Sequence, residues 1–146
     1  MSLVDRFQAY ADAFEVFYEN GDPKVLEPYF TVDAVYETVA EPPLAGRHEG
    51  REKVFEGLAQ SLASFDKRFE TRQLDILEGP EERDGSVWLR WRSTYSVPGA
   101  PPLSLEGEET AQFEGDRIRR LEDSMPEAAK FSLEWMSEHG AKLKAD

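Results

Sequence analysis

The segment from residue 26 to residue 58 constrains the fold of this chain more than any other stretch. Apolar residues at helical spacing predict a short helix that ends at Asp33, and an alternating pattern then predicts a strand over Ala34–Thr38. A proline-bearing loop over 41–46 bends the chain away before an amphipathic helix, which the pattern places at Gly50–Phe65. A helix, a kinked strand and a helix in this order are typical of one half of a cone-shaped α+β domain, whose curved sheet surrounds a cavity.

Helices are predicted at both ends of the chain as well. Aromatic residues recur at helical spacing over Leu3–Asn20, and Gly21 follows as a residue that readily ends a helix. Asp22-Pro23 is typical of a helix start, so a short second helix is expected from there to about Phe30. A last helix is predicted over Pro126–Leu143. Its apolar side carries Phe131, Trp135 and Met136. We expect this side to pack on its own domain, and the alternatives are that the helix crosses a partner subunit or caps the mouth of the cavity.

Between the third helix and the last one, the pattern changes to strands. Alternating residues predict strands over Phe69–Leu77, Val87–Val97, Leu103–Phe113 and Arg117–Met125. Because helices precede consecutive strands, the order predicts three N-terminal helices packed on a strongly curved, mainly antiparallel sheet in an α+β fold. We expect a cone domain over residues 1–125 and a C-terminal helical extension over 126–146.

The composition narrows the class of protein. A chain of 146 residues with 40% apolar residues is long enough to bury a core. No apolar run approaches the ~20 residues that cross a bilayer, and the N-terminus lacks the pattern of a secretory signal. The absence of cysteine excludes disulfides and thiolate chemistry, and a cytoplasmic location is expected. The formal net charge of −13 disfavours nucleic acid and anionic membranes as partners.

Alternation sorts the predicted strands into an inner and an outer face, and the more apolar face is expected to surround the cavity. The predicted ligand-binding residues on that face are Tyr36, Thr38, Trp91, Ser93 and Tyr95. Tyr10 and Phe14 of the first helix can reach the same space. This aromatic lining with few polar groups is typical of a pocket for a small apolar ligand.

Glu109 and Asp123 form the predicted catalytic pair. They belong to neighbouring strands and to the same face, so two carboxyl groups are expected to lie close together in an apolar setting. Desolvation and mutual repulsion would raise the proton affinity of one of them and leave an acid beside a base. The alternative is that one carboxylate lies at the sheet rim, or is bonded to a tyrosine hydroxyl and is chemically idle.

On the outer face, Arg90 and Arg92 are expected to pair across strands with Glu106 and Glu108. Trp88 lies beside them, and the sequence leaves open whether it anchors a dimer contact or is simply half-covered by its neighbours.

The two histidines do not predict a metal site. His48 is expected in an exposed loop before the third helix, and His139 is expected on the surface near the end of the last helix. Neither pairs with a second histidine at ligand spacing, and no glycine-rich loop follows a strand to hold a phosphate. The sequence therefore predicts neither a metal nor a cofactor.

Three sequence motifs, at 29–36, 46–52 and 115–118, read YFTVDAVY, GRHEGRE and GDRI. With them, residues 7–125 resemble the nuclear transport factor 2-like superfamily, which includes SnoaL-like polyketide cyclases, ketosteroid isomerases and limonene epoxide hydrolase. The resemblance implies a cone-shaped, cystatin-like domain and a homodimer formed through the convex face of the sheet. It does not imply one activity, since this fold carries enzymes, binding proteins and assembly modules.

The family's catalytic residues are only partly present on the first strand. Ketosteroid isomerases place an aspartate base where this chain has Thr38. The epoxide hydrolases place a tyrosine and an asparagine at the positions of Tyr36 and Thr38, and their Pro-Pro and Gly correspond to Pro42-Pro43 and Gly46.

The third and last strands depart from the epoxide hydrolases in a different way. Their Arg–Asp pair falls on Trp91 and Ser93, and their last-strand aspartate is retained as Asp123. A strand register different by one residue would instead turn Arg90 or Arg92 inward.

Three functions follow from these observations. The first is a SnoaL-like or isomerase-like enzyme that uses Asp123 and Glu109 on a small, largely apolar substrate. The second is a binding protein for a similar ligand that has lost the family's catalytic residues. The third is a dimeric assembly module whose cavity is incidental.

Overall fold

The computed structural model of the chain describes residues 2–42 and 44–144. Within them the α-helices are α1 (Leu3–Asn20), α2 (Arg51–Ser64) and α3 (Ala128–His139). The strands are β1 (Phe30–Val39), β2 (Gly46–Glu49), β3 (Thr71–Arg83), β4 (Ser86–Ser96), β5 (Leu103–Glu114) and β6 (Arg117–Ser124). Short 3-10 helices occupy Pro23–Tyr29, Asp66–Arg68 and Gly140–Lys142. Every helix and strand that the sequence predicts is present, the second helix as a 3-10 helix, and β2 is an additional strand.

The strands form one curved, unclosed sheet in the order β2-β1-β6-β5-β4-β3. Neighbouring strands are antiparallel except β1 and β6, which are parallel. Register shifts between β3 and β4 and between β5 and β6 mark bulges, which bend a sheet locally. Aromatic residues of α1 and apolar residues of α2 cover the concave face. The predicted α+β class with a mainly antiparallel sheet is confirmed. None of the helices in the described ranges combines the length and apolar character that a bilayer crossing requires.

β1 begins four residues before its predicted start. Asp33 lies inside this strand and does not end a helix, so that prediction was wrong. The Phe30 ring packs edge-on against Tyr10 and Phe55, with ring centroids 5.4 Å and 5.6 Å apart. The pairing of β1 with β6 shifts register between Phe30 and Val35, so the residues between them lie outside the regular pairing. Contacts with α1 and α2 therefore set the start of this strand, and local periodicity does not reveal them.

The loop before α2 contains β2, in which His48 lies opposite Tyr36 of β1. The two rings are stacked, with centroids 6.2 Å apart and planes inclined by 14°. The imidazole also lies against α2, since a Cβ atom at Gly57 would come within 2.6 Å of its Nε2. His48 is therefore half-buried, and the prediction of an exposed loop was wrong because strand pairing depends on a distant partner. Pro43 lies outside the described residues.

α3 packs on its own domain, next to β5. The Trp135 ring lies 5.2 Å from that of Phe69, and its indole N–H donates to the Pro101 carbonyl at 2.8 Å. Phe131 is 44% exposed, so its predicted place on the buried side was wrong: small residues of α3 meet the sheet there instead. His139 rests on the Trp135 ring at 5.4 Å, and is half-buried rather than a free surface residue. The buried side carries Ala128, Ala129, Ser132 and Trp135.

The outer face of the sheet is polar. Arg90 forms the predicted ion pair with Glu106 at 3.3 Å. Trp88 is half-buried: its indole N–H donates to Glu108 at 2.7 Å, and the Arg83 guanidinium lies 3.7 Å above its ring. The neighbours of Trp88 therefore account for its partial burial.

Candidate active site

A cavity of about 510 Å³ lies between the concave face of the sheet and the helices α1 and α2. Its volume is in the usual range for small-molecule sites. The nine residues that the sequence assigns to a site all line it: Tyr10, Phe14, Tyr36, Thr38, Trp91, Ser93, Tyr95, Glu109 and Asp123. Their roles in binding or catalysis stay predictions.

Glu109 of β5 and Asp123 of β6 are direct cross-strand partners on the cavity wall. A two-residue turn joins the two strands, and a register shift near Phe113 then adds one residue to β6. Without that shift, continuous pairing from the turn would set Glu122 opposite Glu109. The bulge therefore brings the two inward-facing carboxyl groups together.

The pKa values of the pair depend mainly on its distance from bulk solvent, although both side chains are partly exposed towards the cavity. Burial raises the pKa of Glu109 well above its ordinary value, and the charge of Asp123 raises it further. Burial also raises the pKa of Asp123 to about 6, although hydrogen bonds from Glu109, Tyr36 and Trp91 favour its anion. The Tyr36 hydroxyl donates to Asp123 Oδ2 at 3.2 Å. Of the two carboxyl groups, Glu109 therefore holds its proton more tightly, and Asp123 is the one that ionises first.

Two tyrosine hydroxyls lie near the pair. Burial raises the pKa of Tyr10 well above its ordinary value, and the nearby charges of Glu109 and Asp123 add to the effect. The pKa of Tyr36 is also raised, by burial and by the Asp123 charge, against a hydrogen bond with Thr38 that lowers it. Both hydroxyls therefore stay protonated. The single O–H of Tyr36 is donated to Asp123, so the Tyr10 hydroxyl is the one that can donate to an oxygen atom of a ligand.

Trp91 forms the wall beside the pair. Its ring lies on Gly107 of β5, where a Cβ atom would come 2.6 Å from Trp91 Cζ2 and 2.7 Å from the Ser124 carbonyl oxygen. Glycine is therefore required at this close approach. The indole N–H of Trp91 favours the Asp123 anion. Trp91 therefore shapes this side of the cavity and stabilises the negative charge of Asp123.

A second polar group on the wall was missed by the sequence analysis. The Tyr95 hydroxyl donates to Asp66 Oδ2 at 3.2 Å, and Arg72 Nε lies 3.2 Å from the same oxygen. Arg72 Nη1 also reaches Glu15 of α1 at 3.4 Å. Burial is the main cause that raises the pKa of Asp66, and the charge of Arg72 opposes it. The available signal was a lone arginine on the inward face of β3, which Arg72 shares with Leu74 and Ile76.

The mouth of the cavity is formed by exposed residues of α1 and β3. Leu74 and Ile76 line the cavity and are 41% and 46% exposed, which makes this side of the rim apolar. Asp12 and Glu15 of α1 are exposed and line it as well. The mouth thus has an apolar edge on one side and carboxylates on the other.

The observed strand register decides the alternative that the sequence left open. Trp91 and Ser93 face the cavity, and Arg90 lies on the outer face in its ion pair with Glu106. The Arg–Asp pair of the epoxide hydrolases therefore has no counterpart at these positions. Across residues 2–42 and 44–144, no three histidine, aspartate or glutamate side chains are grouped as metal ligands.

A family model described as SnoaL-like domain matches residues 7–121. A protein from Catenulispora acidiphila DSM 44928 with a ketosteroid isomerase-like fold, solved in complex with trimethylamine, has a TM-score of 0.59 and 18% identity over 80% of this chain and 85% of its own. An uncharacterised cystatin-fold protein from Novosphingobium aromaticivorans has a TM-score of 0.58 and 23% identity over 84% of this chain and 97% of its own. An NTF2-like protein of unknown function from Burkholderia pseudomallei K96243 has a TM-score of 0.64 and 14% identity over 91% of this chain and 98% of its own. None of the curated proteins matches this sequence. These likenesses confirm the cystatin-like fold.

Proposed function

We propose, from the premise that the chain belongs to the SnoaL-like domain family within the NTF2-like superfamily, that its cavity binds a small, largely apolar molecule and moves a proton on it. The observation that carries the proposal is the Glu109–Asp123 pair on the wall of an aromatic cavity. Two interacting carboxyl groups of different proton affinity provide an acid and a base at the same pH.

The proposed step needs only side chains of this chain. The Asp123 carboxylate takes a proton from an acidic C–H bond of the ligand, and the Glu109 carboxyl gives its proton to another atom of the same ligand. The Tyr10 hydroxyl holds a ligand oxygen whose negative charge grows during the transfer, while the Tyr36 hydroxyl orients the Asp123 carboxylate. Isomerisation and cyclisation are the reaction classes that such a step serves.

A second candidate is binding without catalysis. Thr38 stands where ketosteroid isomerases have their base, and Trp91 and Ser93 stand where the epoxide hydrolases have their Arg–Asp pair. The Catenulispora protein, solved with trimethylamine, supports binding of a small organic molecule by this fold without implying turnover.

Native mass spectrometry of the purified protein, followed by a turnover assay with any molecule that it retains, tests the proposal. Asp123→Asn is expected to lower kcat by about 100-fold or more, because the base is removed. Glu108→Gln on the outer face of β5 is the matched control and is expected to keep full turnover. Unchanged kcat in Asp123→Asn would remove this pair from the mechanism, and a retained ligand without turnover would favour the second candidate.

We also propose, from the family resemblance, a cytoplasmic homodimer formed through the outer face of the sheet. Trp88 and Arg90 lie on that face, beside acidic side chains of β5. Sedimentation of the purified protein is expected to give the mass of a dimer, and Arg90→Glu is expected to weaken it. A monomer mass at high micromolar concentration contradicts this assembly.

A further inference from the structure

We infer that the cavity selects a hydrophobic amine, a ligand with an apolar body and one protonated nitrogen that is placed at Glu109 and Asp123. This inference rests on the proposed function of small-ligand binding and names the chemical class of the ligand. It follows from the charges on the cavity wall, the aromatic rings between them and the apolar residues on one side of the mouth.

The cavity wall is strongly acidic. Its carboxyl groups are Asp12, Glu15, Asp66, Glu109 and Asp123. Arg72 is the one cationic side chain among the described residues of the wall. Its charge is already matched, since it lies 3.2 Å from Asp66 and 3.4 Å from Glu15. The wall therefore has a surplus of negative charge, which favours a cation and repels an anion.

Aromatic rings lie between these carboxyl groups. Tyr10, Phe14, Tyr36, Trp91 and Tyr95 line the cavity, and the Tyr36 hydroxyl is bonded to the Asp123 carboxylate. The face of an aromatic ring attracts a cation, most strongly where water is excluded. Rings and carboxylates together suit an alkylated ammonium better than either a bare hydrocarbon or a metal ion.

A protonated amine also satisfies the carboxyl pair. Burial and the charge of Asp123 raise the pKa of Glu109 well above its ordinary value, so Asp123 is the group of the pair that carries the negative charge. An ammonium N–H can donate to the Asp123 carboxylate and brings a positive charge beside it. A neutral ligand leaves the Asp123 charge without a new partner, and an anionic ligand adds repulsion to it.

The direction of binding follows from the two ends of the cavity. The carboxyl pair lies away from bulk solvent, and Leu74 and Ile76 lie exposed at the mouth. The charged nitrogen is therefore placed at the pair, and the apolar body lies against Trp91 and the β3 side of the mouth, opposite the exposed carboxylates of Asp12 and Glu15. An amine without an apolar body would leave the rim uncovered.

Titration calorimetry at neutral pH with three small probes of similar size tests this inference. The probes are N,N-dimethylbenzylamine as the cation, isobutyrophenone as a neutral ketone, and phenylacetate as the anion. The amine is expected to bind about tenfold more tightly than the ketone, and phenylacetate is expected to bind most weakly.

Asp123→Asn separates this inference from general binding. It is expected to weaken amine binding about tenfold, with ketone binding unchanged, because the negative charge at the pair is removed. Glu108→Gln, on the outer face of β5, is expected to behave as the natural protein. Equal or tighter binding of the ketone or of phenylacetate in the natural protein overturns the inference and leaves small-ligand binding intact. Failure of all three probes at millimolar concentration counts against the inference and the proposed binding function together.

Discussion

Replacing Asp123 with asparagine is expected to raise the free energy of unfolding near pH 8 by about 2–3 kcal/mol. The folded protein holds the Asp123 carboxylate away from bulk solvent, and this burial raises its pKa from 3.8 to about 6. Each unit of pKa shift corresponds to ~1.4 kcal/mol, so ionising this group in the folded state opposes folding. Asparagine keeps the size and the acceptor for Tyr36 but carries no charge.

The sign of the pH dependence follows from proton binding. Between about pH 4, where a free carboxyl group ionises, and the raised pKa values of Asp123 and Glu109, the folded state binds more protons than the unfolded state. The stability of the natural protein is therefore expected to fall as the pH rises through this window. Below the window both states are protonated, and the advantage of Asp123→Asn is expected to disappear.

Urea unfolding at a series of pH values measures this effect. Asp116→Asn in the exposed β5–β6 turn is the control, with an expected change within about 0.5 kcal/mol at each pH. An Asp123→Asn variant that loses stability near pH 8, or gains the same amount near pH 4, is incompatible with a strained carboxyl pair. A gain in stability together with the loss of turnover would be the trade-off expected of a functional site.

Trp135→Ala is expected to lower the free energy of unfolding by about 3–5 kcal/mol, as for other large-to-small changes in a core. Trp135 is 7% exposed and holds α3 against Phe69, and its indole N–H satisfies the Pro101 carbonyl. The substitution leaves a cavity between α3 and the sheet and an unpaired carbonyl. Thermal and urea unfolding measure the loss.

Phe131→Ala on the same helix is the matched control. Phe131 is 44% exposed, so its removal is expected to change stability by less than about 1 kcal/mol. Equal losses from the two substitutions would show that α3 is not oriented by Trp135. A negligible loss from Trp135→Ala would show that α3 contributes little to this fold.

Local periodicity was sufficient to predict which side chains face the cavity. In β4, Trp91, Ser93 and Tyr95 alternate with outward residues, and a strand has no other way to arrange a period of two. The same rule placed Glu109 and Asp123 on one face. Wherever a strand pattern was uninterrupted, sequence and structure agree on orientation.

Periodicity was insufficient where a partner distant in sequence decides the local structure. Phe30 belongs to β1 because its ring packs against Tyr10 and Phe55. His48 is half-buried because β2 pairs with β1. The group formed by Asp66, Arg72 and Tyr95 joins three elements, and no spacing along the chain brings these residues together.

The order of elements, the α+β class and the inner faces of the strands were determined by the sequence alone, since they depend on residues a few positions apart. The close approach of Glu109 and Asp123 was decided by the bulge in the β5–β6 pair. A trace of that bulge is present in the sequence, because Ile118 and Leu121 are three residues apart and both are buried, which a regular strand does not allow. The raised proton affinity of the pair was decided only by the tertiary structure, because desolvation depends on every element that surrounds a group.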